Sequence, residues 1–283
     1  MGTEGADETV RTRDGRALHA VVHGAGGAAT PTVVFEAGMG ASRCSWGAVL
    51  PGVAERTRAV VYDRSGLGRS PADPAHRDLR RLVDDLVDVL DHFAPGPFVL
   101  VGHSWGGPIV RGAAAQRPDR IAGLVLVDAT DEGCDLIMTK ANERLERWTR
   151  PVMPLVARLG LVRMMVRKLA AQLPEPARSE MVAEDGTPAA MRAHLAESAG
   201  SIADLRRLRD HAEPEPDVPL TVISGARSSR LGRSRRDALI AAHRTRADAA
   251  AQGRHVLAPD STHYVPFTDP ALVTTEILRL IPD

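Results

Sequence analysis

Short apolar runs recur through the first 130 residues, at about 17 to 23, 31 to 36, 58 to 62, 97 to 102 and 122 to 127. The last three are nearly unbroken aliphatic stretches: Ala59-Val60-Val61-Tyr62, Phe98-Val99-Leu100-Val101 and Leu124-Val125-Leu126-Val127. That is how parallel strands covered on both faces read. Between them, Asp78 to Phe93 sets Leu79, Leu82, Val83, Leu86, Val89, Leu90 and Phe93 at three- and four-residue steps, with Asp84, Asp85, Asp88 and Asp91 facing away. This is the pattern of an amphipathic helix. Strand, helix, strand in this order predicts an α/β fold on a mostly parallel sheet.

The alternation stops at Asp131. From there to about Pro216 no strand-like run occurs, and helical stretches are broken by Pro151, Pro154, Gly160, Pro174, Pro176, Gly186 and Pro188 before the linker Glu213-Pro214-Glu215-Pro216. The pattern resumes at Val218 with a strand at 219 to 224, a helix at about 233 to 251, a strand at about 254 to 258 and a last helix from Asp269 or Pro270 to Leu280. The expected organisation is a core of residues 1–130 and 217–283 interrupted by a helical cap of residues 131–216.

Composition narrows the classes. A chain of 283 residues can build a sizeable core without disulfides or metals. Lysine plus arginine and aspartate plus glutamate both number 36, so no net charge draws phosphate backbones, and nucleic acid is not an expected partner. The apolar runs fall far short of the roughly 20 residues of a membrane span. Cys44 and Cys134 have no CxxC spacing, which suits a reducing compartment. Met1 to Thr9 carries Glu4, Asp7 and Glu8 and no apolar run, so no signal or transit peptide is expected, and the expected location is the cytoplasm.

The chemistry concentrates at Gly102-His103-Ser104-Trp105-Gly106, between a buried strand and a helix at about Pro108 to Ala115. A nucleophile on a sharp strand-to-helix turn needs small residues two before and two after it, because the turn crowds their backbones. G-x-S-x-G is common by chance, and its context gives it meaning. A serine nucleophile needs a base. His263 sits in Asp260-Ser261-Thr262-His263-Tyr264-Val265-Pro266, after the final strand, where the loops of a parallel sheet converge on the edge that carries Ser104. His19, His23 and His255 fall in or beside strands, His92, His194, His211 and His243 on helical stretches, and His103 reads as a packing residue. No histidine or cysteine cluster has metal-ligand spacing, and Gly66-Leu67-Gly68 follows no dinucleotide pattern, so no metal or organic cofactor is expected.

On these residues the chain resembles the α/β-hydrolase superfamily over nearly its whole length, which implies an eight-stranded, mostly parallel sheet with flanking helices and an inserted cap. Tyr62-Asp63-Arg64-Ser65-Gly66-Leu67-Gly68-Arg69-Ser70 resembles the family's D-x-R-G-x-G-x-S turn, with Ser65 where glycine is usual. Asp63 and Arg64 read as structural. Glu36-Ala37-Gly38-Met39-Gly40 stands where the family usually has His-Gly, and the resemblance places the backbone N–H groups of Met39 and Trp105 in an oxyanion hole.

The family's usual site for the catalytic acid, here Ser224-Gly225-Ala226-Arg227-Ser228-Ser229-Arg230-Leu231, holds no carboxylate. Some relatives carry the acid one strand earlier, where Asp128 stands, 24 positions after Ser104. Asp128 is therefore the expected acid, ahead of Asp131, Glu132 and Asp260. The expected activity is serine hydrolysis of a mostly apolar small-molecule ester, lactone or thioester through an acyl-enzyme intermediate. Siblings with this triad cleave C–C bonds, use peroxide or cyclise intermediates, and a non-catalytic ligand-binding protein on the same fold is the alternative of a different class. Epoxide hydrolases and haloalkane dehalogenases would require aspartate at position 104. In the cap, Met138, Met153, Met164, Met165, Met181 and Met191 suit either an adaptable apolar pocket or core filling. Leu161 to Leu169, with Arg163, Arg167 and Lys168, has the basic and apolar character of a membrane-surface segment but no single polar face.

Overall fold

The computed structural model describes residues 5–27, 30–211, 214, 216–229 and 232–282. Glu213 and Glu215 of the linker, Arg230 and Leu231 of the loop after the strand at 219 to 224, and the first four residues lie outside these.

Eight strands form one sheet in the order β1-β2-β4-β3-β5-β6-β7-β8: β1 (Ala6–Arg11), β2 (Ala17–His23), β3 (Thr32–Glu36), β4 (Ala59–Tyr62), β5 (Phe98–His103), β6 (Ile121–Val127), β7 (Leu220–Gly225) and β8 (Gly253–Ala258). β1 pairs antiparallel with β2, and β2 antiparallel with β4, whereas every pairing from β4 to β8 is parallel. The periodicity locates seven of these strands. It misses β1, whose residues are exposed apart from Val10, so its apolar pattern is too sparse to read.

Strand side chains alternate between two cores. Val34, Leu100 and Leu124 face α2 (Leu79–His92) and α3 (Gly106–Gln116), while Val33, Val99 and Val125 face α1 (Leu50–Ala54) and α12 (Pro270–Leu278). On α2, two of the aspartates expected to face water are buried instead. Asp85 pairs with Arg16 at 2.5 Å and Asp88 with Arg13 at 2.8 Å, so guanidinium groups replace the lost hydration.

Between β6 and β7 the described residues form helices α4 (Lys140–Thr149), α5 (Met153–Arg158), α6 (Leu161–Ala170), α7 (Ala177–Glu184), α8 (Pro188–Ser198) and α9 (Ser201–Asp210). Their methionines do not gather round one pocket. Met138 joins the main core, Met181 packs with Cys44 and Phe267, Met191 packs with Ala157 and Val162, and Met164 and Met165 are 63% and 66% exposed. α10 (Arg233–Ala249) covers β7 and β8, and α11 (Val265–Thr268) follows the last strand. Because β5, β6 and β8 run parallel, the residues just past their carboxyl ends, Ser104, Asp128 and His263, share one edge of the sheet.

Candidate active site

Ser104 follows β5 with φ 54°, a left-handed conformation that costs a non-glycine residue energy and is held by its surroundings. Its N–H donates to the Val127 carbonyl at 3.2 Å, and its own carbonyl accepts from Gly107 N–H at 3.0 Å and Thr130 N–H at 2.8 Å. The flanking glycines are a steric necessity. A Cβ at Gly102 would lie 2.5 Å from the Gly106 carbonyl oxygen, and one at Gly106 would lie 2.5 Å from that of Glu36.

His263 Nε2 lies 3.0 Å from Ser104 Oγ, and its Nδ1 lies 2.7 Å from Asp128 Oδ2. The His263 loop is tied down from below. His103 donates from Nε2 to the His263 carbonyl at 2.9 Å, and burial, followed by the charge of His263, pushes the His103 pKa down to about 3, so this ring stays neutral.

Asp128, fully buried and also at positive φ, 42°, bonds through both oxygens. Oδ1 accepts from Gly225 N–H at 2.9 Å and from Arg236 Nη1 at 2.5 Å, leaving Oδ2 for His263. Burial raises its pKa, but the hydrogen bond and charge of His263, then those of Arg236, outweigh it and leave the carboxyl at about 2. A carboxylate only accepts, so His263 Nδ1 carries the shared proton and Nε2 is free to accept from the Ser104 hydroxyl.

The other acids weighed for this role are bonded elsewhere or face solvent. Asp131 pairs with Arg246 at 2.6 Å, Glu132 with Arg111 at 2.7 Å, and Asp260 is exposed. Next to Asp128, His243 donates from Nε2 to the Ala129 carbonyl at 2.7 Å and holds the Ser224 hydroxyl at 2.7 Å, a buried brace under this corner.

The loop Glu36 to Gly40 crosses the serine. A Cβ at Gly38 would lie 3.3 Å from Ser104 Cβ and 3.1 Å from His103 Nδ1. Met39 follows it, half-buried against the core, and Trp105 follows Ser104, buried at the start of α3. Arg64 holds the loop by donating to the Gly38 carbonyl at 2.7 Å and the Ala37 carbonyl at 2.9 Å. Glu36 is the buried partner of Arg64 and of the Tyr62 hydroxyl. Glu197 of α8 completes the clamp, accepting from Arg64 Nε at 2.8 Å, Arg77 at 2.5 Å and Gly40 N–H at 2.8 Å. Burial raises its pKa, but Arg64 and then Arg77 more than offset this and leave it at about 2. Neither Glu197 nor Arg236 has any local motif. Their partners are 108 to 157 positions away, and nothing in the sequence singles them out.

Among the described residues, Cys44, Glu180 and Glu184 bring possible metal-ligand atoms within 4.8 Å of one another. Arg43 already bonds both carboxylates at 2.7 Å, and burial pushes the Cys44 thiol well above its ordinary value. That environment suits an arginine rather than a metal ion.

Residues 31–163 match the family described as the alpha/beta hydrolase fold. Over 121 residues, 42% of this chain and 44% of the relative, the sequence is 35% identical to the Caulobacter vibrioides protein named "Putative carbamate hydrolase RutD". It is also 35% identical over 127 residues to epoxide hydrolase B of Mycobacterium tuberculosis, covering 44% of this chain and 35% of that one. The chain thus spans less than half the length of these relatives. A solved structure of a mutant epoxide hydrolase from Vigna radiata superposes with a TM-score of 0.73 at 16% identity, covering 98% of both chains. The sheet order and the superposition agree that the chain has the α/β-hydrolase fold, and residues 31–163 carry that family's sequence match.

Proposed function

We propose that this protein is a serine hydrolase acting on the acyl carbonyl of a mostly apolar small molecule, a carboxylic ester, lactone or thioester. The observation that carries the reading is the unbroken relay from Ser104 Oγ through His263 at 3.0 Å to Asp128 at 2.7 Å. Ser104 Oγ attacks the carbonyl carbon while His263 Nε2 takes its proton, and the imidazolium is stabilised by Asp128. The oxyanion is held by Met39 N–H and Trp105 N–H, whose backbone donors make the side chains at both positions immaterial to that task. His263 returns the proton to the leaving group. Water, activated by His263, then attacks the acyl-serine, releasing the acid and restoring the Ser104 hydroxyl.

The likeness to epoxide hydrolases carries the fold but not this chemistry, because a serine stands where epoxide opening requires a carboxylate nucleophile. The likeness to a protein named for carbamate hydrolysis favours a second substrate reading, in which the same steps act on a carbamate carbonyl. A panel of p-nitrophenyl esters and aryl carbamates tests both. Wild-type protein turns over one class or the other, and Ser104→Ala reduces it to background with an unchanged circular dichroism spectrum. Wild-type turnover by the variant refutes the assignment.

A further inference from the structure

The segment from α4 to α6 exposes apolar side chains that the core does not need. On α6, Val162, Val166, Leu169 and Ala170 turn inward, Val162 and Val166 among them onto Met191 and Ala157. Leu161, Met164 and Met165, at i, i+3 and i+4, form a second apolar face, 44% to 66% exposed. Leu155 and Leu159 before it are 57% and 66% exposed, and Trp148 at the end of α4 is 78% exposed. Apolar exposure this dense marks an interaction surface rather than the scatter of an ordinary surface.

The charge of the same segment is one-sided. From Arg147 to Pro174 the chain holds Arg147, Arg150, Arg158, Arg163, Arg167 and Lys168, and no aspartate or glutamate, in a sequence whose charges balance at 36 and 36. All six side chains are exposed, and none is in an ion pair among the described residues. Elsewhere arginines are matched with carboxylates, as Arg13, Arg16, Arg43, Arg64 and Arg81 are.

We infer that this face of the α4–α6 segment docks on the surface of an anionic phospholipid bilayer. Lipid headgroups supply the missing negative charge, and the acyl boundary takes Leu161, Met164, Met165 and their neighbours. A second copy of the chain is a poor occupant, since a two-fold contact through this face sets like charges against each other. The docking face also connects to the candidate site. α5 and α6 pack on Met191 and Leu195 of α8, while Glu197 and His194 of the same helix meet Gly40. The inference does not rest on the proposed hydrolysis.

The test is flotation of the intact protein with vesicles of phosphatidylcholine, alone or mixed with phosphatidylglycerol, at low and high salt. The expected result is partitioning onto the mixed vesicles, weakened by salt, with little onto phosphatidylcholine. Each basic side chain near the surface contributes about fivefold, so the double variant Arg163→Gln/Arg167→Gln partitions about thirtyfold less. The variant Met164→Ser/Met165→Ser, altered only at exposed positions, loses on the order of tenfold. Trp46 and Trp105 are buried, so a blue shift of tryptophan emission on vesicle addition reports Trp148 and disappears in Trp148→Phe. All these variants keep the circular dichroism spectrum of the wild type. The inference is overturned if wild-type protein ignores anionic vesicles, if it binds neutral vesicles equally, or if both double variants bind as the wild type does. It is equally overturned if the methionine variant abolishes a lipid-free dimer.

Discussion

Replacing Asp128 by asparagine separates a catalytic acid from a residue that merely caps a strand, and the surroundings of Asp128 decide how the new amide will sit. Oδ1 receives two donors, Gly225 N–H at 2.9 Å and Arg236 Nη1 at 2.5 Å, while Oδ2 receives one, His263 Nδ1 at 2.7 Å. Asparagine has one accepting oxygen and one donating nitrogen. Turning the nitrogen towards Gly225 and Arg236 would set three donors against one another, one of them charged, so the oxygen stays there and the nitrogen faces His263. An NH₂ donor beside Nδ1 forces that nitrogen to accept, which moves the ring proton to Nε2, against the Ser104 hydroxyl. The base is then blocked. The equivalent change in the serine-protease triad costs about 10⁴ in kcat, equal to about 5.5 kcal/mol, and a loss of that order is expected here. Asp128→Ala is less clean, because it also strands Arg236 and costs about 3–5 kcal/mol of stability. The assay is ester turnover for Asp128→Asn beside Asp131→Asn and Asp260→Asn, with a denaturation curve for each. A kcat for Asp128→Asn within a few-fold of wild type would refute the tautomer argument, and a large loss in either control would move the acid there.

Glu197→Gln leaves Arg64 and Arg77 buried without the carboxylate that both contact, so it should cost about 3 kcal/mol of stability and lower kcat/KM by loosening the Ala37–Gly40 loop. An unchanged urea midpoint would count against the clamp. Asp185 accepts from Ser42 N–H at 3.2 Å, and burial pushes its pKa up to about 7 from an unfolded value of 3.8. Between those values the folded form binds more protons than the unfolded one, so stability falls as pH rises. Lowering the pH from 8 to 5.5 should therefore stabilise wild type by about 2 kcal/mol more than Asp185→Asn, and parallel pH profiles would contradict this.

The parallel strands were legible because burial on both faces turns them into unbroken aliphatic runs, such as Phe98 to Val101. The sheet edge was harder. β1 carries Asp7 and Glu8 and buries only Val10, so no periodicity marks it. Ser104, His263 and Asp128 could be brought together from sequence because parallel strands deliver their following loops to one edge, and the vacant position after β7 redirected attention to Asp128. Glu197 and Arg236 were out of reach, since each acts through a partner fixed only by the tertiary fold. The methionines between β6 and β7 illustrate the same limit. α6 has two apolar faces, and sequence spacing alone does not say which of them meets the core. Glu36, chemically unexplained in the strand pattern, acquires its role only once Arg64 and Tyr62 are seen around it.

The central claim is that Ser104 is an activated nucleophile. Treating the protein with a fluorophosphonate and measuring intact mass, followed by peptide mapping, tests it most directly, because only a serine relieved of its proton by a neighbouring base reacts quickly. The account predicts one phosphonyl adduct per chain, located on Ser104, absent from Ser104→Ala and strongly slowed in Asp128→Asn. An unlabelled wild-type protein, or an adduct on another residue, would contradict it.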